Sequence, residues 1–258
     1  MNTPRIVPVE GLTEEPYTKV LCYPRANEAE LQTRLAELQK HGVEALEFAG
    51  KASVFNVPVL GKGFVGVAVI AHLNGQRAAL KIRRVDADRQ DLQHEATMLA
   101  KANTENVGPK LISASTNFLL MQFIDGDLLP SWLETHKDTE KECVRSVLRE
   151  ILEQCWRLDA VGLDHGELSK APKHVIVSKK QEPFLVDFET ASVNRRTANV
   201  TAMSQYLFAG KSPVAHMVAE AFGERSHEEL VEALRCYKGS RARGDFERLL
   251  QICFTEST

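Results

Sequence analysis

The sequence has no long hydrophobic run, no paired cysteine motif and no strong excess of charge of one sign. No stretch approaches the roughly 20 apolar residues that cross a bilayer, so we expect a protein that is neither membrane-spanning nor secreted. The five cysteines are scattered without a C-x-x-C pair, which argues against a disulfide framework or zinc knuckle and favours the reducing cytoplasm. The net charge of −3 gives no support for a nucleic-acid or ribosomal partner, because nucleic-acid domains usually carry a basic excess.

The chain is long enough, at 258 residues with 43% hydrophobic content, to form one substantial core or two small lobes. Its first twenty-odd residues show no clear pattern and are expected to be loosely ordered. The run from about Glu28 to His41 predicts a helix, because Asn27 and Glu30 form a capping pair before it and Gly42 follows it. From Val43 to Ile82, strand-like segments alternate with turns, which predicts an antiparallel sheet.

The second half of the sequence is mainly helical in pattern. Asp125 to Asp127 predicts a turn after an apolar strand, as suits a linker between lobes. A long helix is predicted from Thr139 to Ala160, opened by a capping box of Thr139 and Glu142. Two apolar segments, Val175 to Val177 and Phe184 to Val186, predict a hairpin.

Residues Gly61 to Val67 read Gly-Lys-Gly-Phe-Val-Gly-Val. Glycines at the first, third and sixth positions let the backbone lie against phosphates without a Cβ in the way. A dinucleotide-binding Rossmann loop would need a helix at the last glycine, whereas Val67 to Ala71 is a β-branched run that ends at Asn74-Gly75 and predicts a hairpin. The segment therefore indicates a kinase-type phosphate loop.

Lys81 follows this loop on a predicted strand, and Glu95 lies on a predicted helix from Asp88 to Asn103. We expect Lys81 to sit against the α and β phosphates and Glu95 to hold its ammonium by a charge-assisted bond. The alternative is a solvated lysine and a surface glutamate. The order of loop, lysine and glutamate favours the functional interpretation.

Two further motifs follow, His165-Gly166-Glu167-Leu168-Ser169 and Asp187-Phe188-Glu189. Together with the glycine loop and Lys81, their order resembles the atypical RIO-type protein kinases, in particular the small serine/threonine kinases of the archaeal and bacterial branch. The resemblance covers about Gly61 to Ser192. Its hinge segment is matched by the run Met121, Gln122, Phe123, Ile124, Asp125 and Gly126.

The resemblance implies a bilobal α+β protein-kinase-like fold. A helical N-terminal extension (residues 1–50) would precede an N-lobe of antiparallel β-sheet with one helix (51–123) and a mainly helical C-lobe (124–258). It also implies ATP and Mg²⁺ as cofactors and transfer to a serine or threonine hydroxyl of an unidentified protein, the chain itself included. The implied cofactor-binding residues are Gly61, Lys62, Gly63, Phe64, Gly66, Val67, Ala79, Lys81, Glu95, Met121, Gln122 and Phe123.

The resemblance assigns the metal to Asp187 and places Glu167 where the family has the aspartate that accepts the hydroxyl proton. His174 stands where the family has a metal-binding asparagine. Since imidazole is a poor ligand for Mg²⁺, His174 is either a ligand that tolerates Mn²⁺ or a hydrogen-bonding turn residue. Glu189 replaces the glycine of D-F-G and either adds a metal ligand or pairs with a cation. His165 is expected to orient the loop.

Two other kinds of function stay open. A small-molecule phosphotransferase of the aminoglycoside or choline kinase type shares such loops, although it usually carries a larger helical insertion. An ATP-binding pseudokinase, or an ATPase switch in an RNA-processing assembly, would explain the altered loop residues. The retained Lys81, Glu95 and Asp187 argue against a wholly inactive site.

Overall fold

The computed structural model describes residues 4–138, 140–209 and 211–255, apart from the side chains of Lys170 and Ala171. The chain divides into two compact units. The first contains the residues up to Ala100 together with Pro109–Phe123, and the second contains Lys101–Gly108 and the chain from Ile124 onward. The first unit is mainly β and the second mainly helical, so the predicted α+β class is confirmed.

The first unit contains a seven-stranded antiparallel sheet in the order β1-β2-β6-β7-β9-β8, with β5 paired to β6. Its helices are α1 (Tyr17–Leu21), α2 (Glu28–Lys40) and α3 (Gln93–Thr104), the last of which ends in the second unit. The strands β3 and β4 form a separate hairpin. In chain order the strands are β1 (Arg5–Pro8), β2 (Ala45–Phe48), β3 (Ala52–Val54), β4 (Val57–Val59), β5 (Gly61–Lys62), β6 (Gly66–Leu73), β7 (Gln76–Arg83), β8 (Leu111–Ala114) and β9 (Phe118–Gln122).

The centre of this sheet is the hairpin of β6 and β7. Asn74 and Gly75 join the two strands with φ values of 50° and 71°, which is the backbone that a two-residue hairpin turn requires. One face of the hairpin packs into the core through Val67, Val69 and Leu80, all fully buried. The predicted hairpin is therefore confirmed.

The prediction of a loosely ordered N-terminus is wrong. β1 pairs with β2 in antiparallel register, so residues 5–8 complete one edge of the sheet. Behind them Leu12 and Leu21 are buried in the same core, and the Tyr17 ring stacks on Phe48 with centroids 4.8 Å apart. These apolar residues are too few per segment to show a period of 2 or 3.6.

A buried arginine of helix α2 hydrogen-bonds to the end of the sheet. As predicted, it begins after Asn27, whose side chain accepts a hydrogen bond from the Glu30 N–H at 2.8 Å. The fully buried Arg34 guanidinium donates to the Arg83 carbonyl at 2.6 Å and to Asn117 Oδ1 at 3.1 Å. The same Asn117 donates to Glu37 at 2.6 Å. Because Arg83 ends β7, this helix fixes the end of the strand that carries Lys81.

The second unit contains a three-stranded antiparallel sheet in the order β10-β11-β12 and a set of helices. Its strands are β10 (Gly126–Leu128), β11 (Val175–Ser178) and β12 (Pro183–Leu185), and its helices are α4 (Leu129–His136), α5 (Lys141–Ala160), α6 (Asn199–Ser204), α7 (Pro213–Phe222), α8 (His227–Ser240) and α9 (Arg243–Phe254). A 3-10 turn spans Leu168–Lys173.

The predicted hairpin appears as β11 and β12. The predicted turn at Asp125 to Asp127 is wrong, because Gly126 pairs with Ser178 and a Cβ on it would lie 2.1 Å from the Val177 carbonyl oxygen.

Helix α5 lies in the core of this unit. Its buried face includes Val144, Leu148, Ile151, Cys155 and Leu158. The helix begins at Lys141, and its N-cap makes no side-chain capping bond. Thr139, assigned to a capping box, lies outside the described residues. Among the helices that the structure describes, none is both long and apolar enough to cross a bilayer.

Candidate active site

The glycine loop is a strand, a tight turn and a second strand. β5 pairs with β6, and the Gly63 N–H donates to the Gly66 carbonyl at 2.8 Å across the turn. A Cβ on Gly66 would lie 2.9 Å from the Ile82 carbonyl oxygen and 3.0 Å from Lys81 Cγ, so only glycine fits where β7 passes. At the tip, the Phe64 residue is 92% exposed. This is the loop conformation expected of a kinase and not of a Rossmann domain.

Lys81 and Glu95 form a buried ion pair within the first unit. Lys81 Nζ donates to Glu95 Oε2 at 2.8 Å, and the two side chains are only 13% and 5% exposed. Lys81 lies on β7, and Glu95 lies in the first turn of α3. The helix begins at Gln93, later than the predicted Asp88, because the Asp91 side chain accepts from the Gln93 N–H. The alternative of a solvated lysine and a surface glutamate is excluded by this burial.

The predicted hinge residues lie at the end of β9. Met121 is partly buried against a small apolar cluster that includes Leu119, and it pairs with Ala79 of β7. The Gln122 backbone N–H donates to the Lys110 carbonyl at 2.8 Å. The Arg77 guanidinium lies over the Phe123 ring at 4.7 Å. The strand thus ends in a well-packed segment at the boundary of the first unit.

In the second unit, His165 is fully buried and holds the loop that carries Glu167. Its backbone N–H donates to Asn199 Oδ1 at 2.8 Å, and its Nε2 lies 3.1 Å from the Val186 carbonyl oxygen. Burial, and next the nearby His174, lower the pKa of His165 to about 4. The ring is therefore neutral at pH 7, with its proton on Nε2 facing the carbonyl. This arrangement supports an orienting role.

Sequence reasoning missed the network beneath this loop. Asn199 Nδ2 donates to Asp159 Oδ1 at 2.8 Å and to the Leu163 carbonyl at 2.7 Å, and the Tyr237 hydroxyl donates to Asp159 Oδ2 at 2.8 Å. Burial raises the pKa of Asp159, while these donors act against the rise. The available signal was the position of Asp159, four residues after Cys155 on the buried stripe of α5.

Three potential metal ligands lie together in the second unit. His174 Nε2 is 3.7 Å from Glu167 Oε2, and His174 Nδ1 is 3.9 Å from Asp187 Oδ2. One donor atom from each of the three residues lies within 4.8 Å of the others. Glu189 also places a carboxylate oxygen within 4.8 Å of one from Asp187. Asp187 has a φ of 69°, a backbone conformation that is uncommon outside glycine and is concentrated at functional sites.

Gly166 is shaped by the same close packing. Its φ is +91°, and a Cβ would lie 2.4 Å from Arg195 Nη2. Arg195 in turn donates to Asp164 Oδ2 at 3.0 Å. Beside this loop a cavity of about 500 Å³ opens, with Ser169, Thr201, Arg235 and Lys238 among its lining residues. Arg235 and Lys238 are exposed and place positive charge at the rim.

The described residues thus place the predicted phosphate-binding and hinge residues in the first unit, and Glu167, His174, Asp187 and Glu189 in the second.

Comparison with known proteins gives two matches. The model of the RIO domain family matches residues 71–203, about half of the chain, and the match begins after the glycine loop. The uncharacterized protein MJ1211 of Methanocaldococcus jannaschii is 30% identical over 100 residues, which are 39% of this chain and 81% of that protein.

Proposed function

The chain belongs to the RIO domain family, which is kinase-like, and on this premise we propose that it is an ATP- and divalent-metal-dependent protein kinase acting on serine or threonine hydroxyls, its own included. The observation that carries the proposal is the buried pair of Lys81 and Glu95 at 2.8 Å. Burying two charges is costly unless they are paired and hydrogen-bonded. An ammonium held this way beside a glycine turn suits recognition of nucleotide phosphates.

The nucleotide would be bound by the first unit. The backbone of Gly61, Gly63 and Gly66 would lie against the phosphates, with Lys62 and Phe64 beside the nucleotide. The expectation that Val67 contacts the nucleotide is wrong, because its side chain is fully buried in the core on the face of the sheet opposite Lys81. Lys81 would contact the α and β phosphates, and Glu95 would keep its ammonium in place. The adenine would lie beside the hinge set formed by Ala79, Met121, Gln122 and Phe123. Residues 51–123 would then act as the nucleotide lobe, 124–258 as the acceptor lobe and 1–50 as an extension.

The donor set of the second unit fits a divalent ion, because two carboxylates and one imidazole converge within 4.8 Å. Asp187 would be the main ligand, with His174 and Glu189 beside it. Such an ion would neutralise charge on the phosphoryl group during transfer. The phosphoryl group would move from ATP to the acceptor oxygen and leave ADP, and the hydroxyl proton would pass to Glu167 Oε1, the carboxylate oxygen other than the one that faces His174. The free state of all five cysteines supports a cytoplasmic location.

Incubation of the pure protein with γ-labelled ATP and Mg²⁺ or Mn²⁺ tests the proposal. We expect labelled phosphoprotein from the wild type and a loss of at least about 100-fold in Lys81→Met and Asp187→Ala, as for removal of one electrostatic contact to a transition state. The control is Lys40→Met, an exposed lysine on α2. Undiminished labelling in Asp187→Ala would overturn the metal assignment.

The same assay distinguishes the proposed kinase from a second candidate, an ATPase switch or an ATP-binding pseudokinase. Glu167 and His174 favour this candidate, because they stand where the family has an aspartate and an asparagine. Release of labelled phosphate without phosphoprotein would indicate an ATPase switch. Tight ATP binding with neither product would indicate a pseudokinase. Label that appears only on an added small molecule would indicate a small-molecule kinase.

A further inference from the structure

We infer that Glu167, His174 and Asp187 form one metal site in which the histidine selects a transition-metal ion such as Mn²⁺ over Mg²⁺, and that this site takes up the ion without nucleotide. The inference rests on the proposed function in one respect, since the ion would be the one used in phosphoryl transfer. Metal uptake itself needs neither ATP nor an acceptor.

The three side chains converge closely enough to approach one ion. Ligand atoms about 2.1–2.2 Å from a metal and 90–120° apart lie roughly 3.0–3.8 Å from each other. His174 Nε2 is 3.7 Å from Glu167 Oε2, and His174 Nδ1 is 3.9 Å from Asp187 Oδ2. Both distances are too long for a hydrogen bond. An imidazole binds a given ion through one nitrogen only, so the observation that bears on a shared cation is that one donor atom from each of the three residues lies within 4.8 Å of the others.

A second observation comes from the histidine. His174 is 8% exposed, and its buried Nδ1 has no hydrogen-bond partner among the described residues. A buried polar atom left in this state destabilises the fold, and an ion or water that binds it is one explanation for such an atom. Nδ1 faces the Asp187 carboxylate, so an ion bound by Nδ1 and that carboxylate would give the imidazole the partner that it lacks.

The chemistry of the ligands indicates the kind of ion. Carboxylate oxygens bind Mg²⁺ and Mn²⁺ alike, but Mg²⁺ requires a near-ideal shell of oxygen atoms. Imidazole nitrogen binds transition metals better, with affinity rising from Mn²⁺ toward Cu²⁺. A site in which one of three protein ligands is a nitrogen therefore favours the transition metal. Because the ligands come from one unit, they can bind the ion before any nucleotide is present.

The test is a titration of the full-length protein, free of nucleotide, with Mn²⁺ followed by the electron paramagnetic resonance signal of the free ion, and then competition by Mg²⁺. We expect Mn²⁺ to bind at least about 30-fold more tightly than Mg²⁺. His174→Asn should weaken Mn²⁺ binding by roughly 10–100-fold and leave Mg²⁺ binding within about threefold. The matched control is His216→Asn, which removes an exposed histidine of α7 in the same unit.

Electron spin-echo measurements on the Mn²⁺-loaded protein identify the ligand directly. We expect coupling to an imidazole nitrogen in the wild type and in His216→Asn, and none in His174→Asn. Should His174→Asn fail to fold, as judged by thermal unfolding without metal, Glu167→Gln provides the second variant and should weaken Mn²⁺ binding while keeping the nitrogen coupling. Wild-type protein without nitrogen coupling, or unchanged Mn²⁺ affinity in the folded variant, would overturn the inference.

The outcomes also separate this inference from the proposed function. Mn²⁺ binding with nitrogen coupling, but no transfer from ATP to any acceptor, would leave the metal site standing and remove the kinase. Full transfer with Mg²⁺ and no nitrogen coupling would support the kinase and overturn the inference about the metal site.

Discussion

Replacing Tyr237 by phenylalanine removes a single buried hydroxyl and tests the network beneath the candidate catalytic loop. In the wild type this hydroxyl donates to Asp159 Oδ2 at 2.8 Å, and the Asp159 residue is only 5% exposed. The remaining donors to the carboxylate are the Asn199 side chain at 2.8 Å and the backbone N–H groups of Asn199 and Val200 at 3.0 and 3.3 Å. The substitution thus leaves the carboxylate buried and less satisfied.

The expected loss follows from the charge of the acceptor. A hydrogen bond to a charged group is worth about 1.5–3 kcal/mol, so we expect Tyr237→Phe to lower the free energy of unfolding by about 2 kcal/mol at pH 7. Burial already raises the pKa of Asp159, and loss of the hydroxyl raises it further. A carboxyl whose folded-state pKa is raised loses stability as the pH rises through that pKa. The deficit should therefore shrink to about 1 kcal/mol once the pH falls well below the ordinary aspartate pKa of about 3.9, where the Asp159 carboxyl is protonated in the folded and the unfolded state.

Urea unfolding at about pH 3 and at pH 7 measures both values. The control is Tyr206→Phe, because Tyr206 is also buried but its hydroxyl makes no side-chain hydrogen bond among the described residues, and burial raises its pKa to about 12. A Tyr237→Phe deficit no larger than that of the control, or one that is the same at both pH values, would refute the reasoning.

Three further predictions concern the same unit. Gly166→Ala should lower the melting temperature more than Gly162→Ala does, because both have positive φ but only Gly166 has a side-chain nitrogen within 2.4 Å of the new Cβ; equal shifts would contradict this. The pKa of His165 is lowered to about 4 in the folded state, so protons bind the unfolded chain more readily as the pH falls from 7 to 4. Over this range the wild type should lose up to roughly 3 kcal/mol of stability that His165→Gln does not lose. Parallel curves of stability against pH for the two proteins would contradict this prediction. Arg235 and Lys238 line the cavity, and reversing both charges should raise the KM for an acidic peptide acceptor at least about fivefold. The KM for ATP should stay within twofold. An unchanged peptide KM would show that the acceptor does not bind in this cavity.

The parts of the fold that the sequence predicted are those with local signals. The Asn74-Gly75 hairpin, the capping of α2 by Asn27 and the order of loop, lysine and glutamate each depend on residues close together in the chain. The pairing of β1 with β2 was missed because the partners are four-residue segments about forty positions apart, and neither is long enough to show a pattern. Pairing over such distances is set by tertiary packing.

In the candidate site, too, the sequence predicted the residues with local motifs and missed those that only tertiary packing brings together. The family resemblance supplied Asp187 and Glu167, but their proximity to His174 depends on the 3-10 turn that joins Leu168 to Lys173, and no periodicity predicts such a turn. The bond from Tyr237 to Asp159 spans 78 positions. Only the apolar neighbours of Asp159 on α5 indicated that its carboxylate would be buried.

The position of β1 and β2 has a practical consequence for anyone who prepares fragments of this protein. The family match starts at residue 71, inside β6, so a fragment cut at that point would lose both strands, α2 and the glycine turn. Only three of the eight residues of β6 would remain, so most of β7 would lose its partner strand and present bare backbone amides and carbonyls, which recruit other chains into aggregates. Soluble fragments should keep residue 5 and everything after it, since similarity boundaries here do not coincide with folding boundaries.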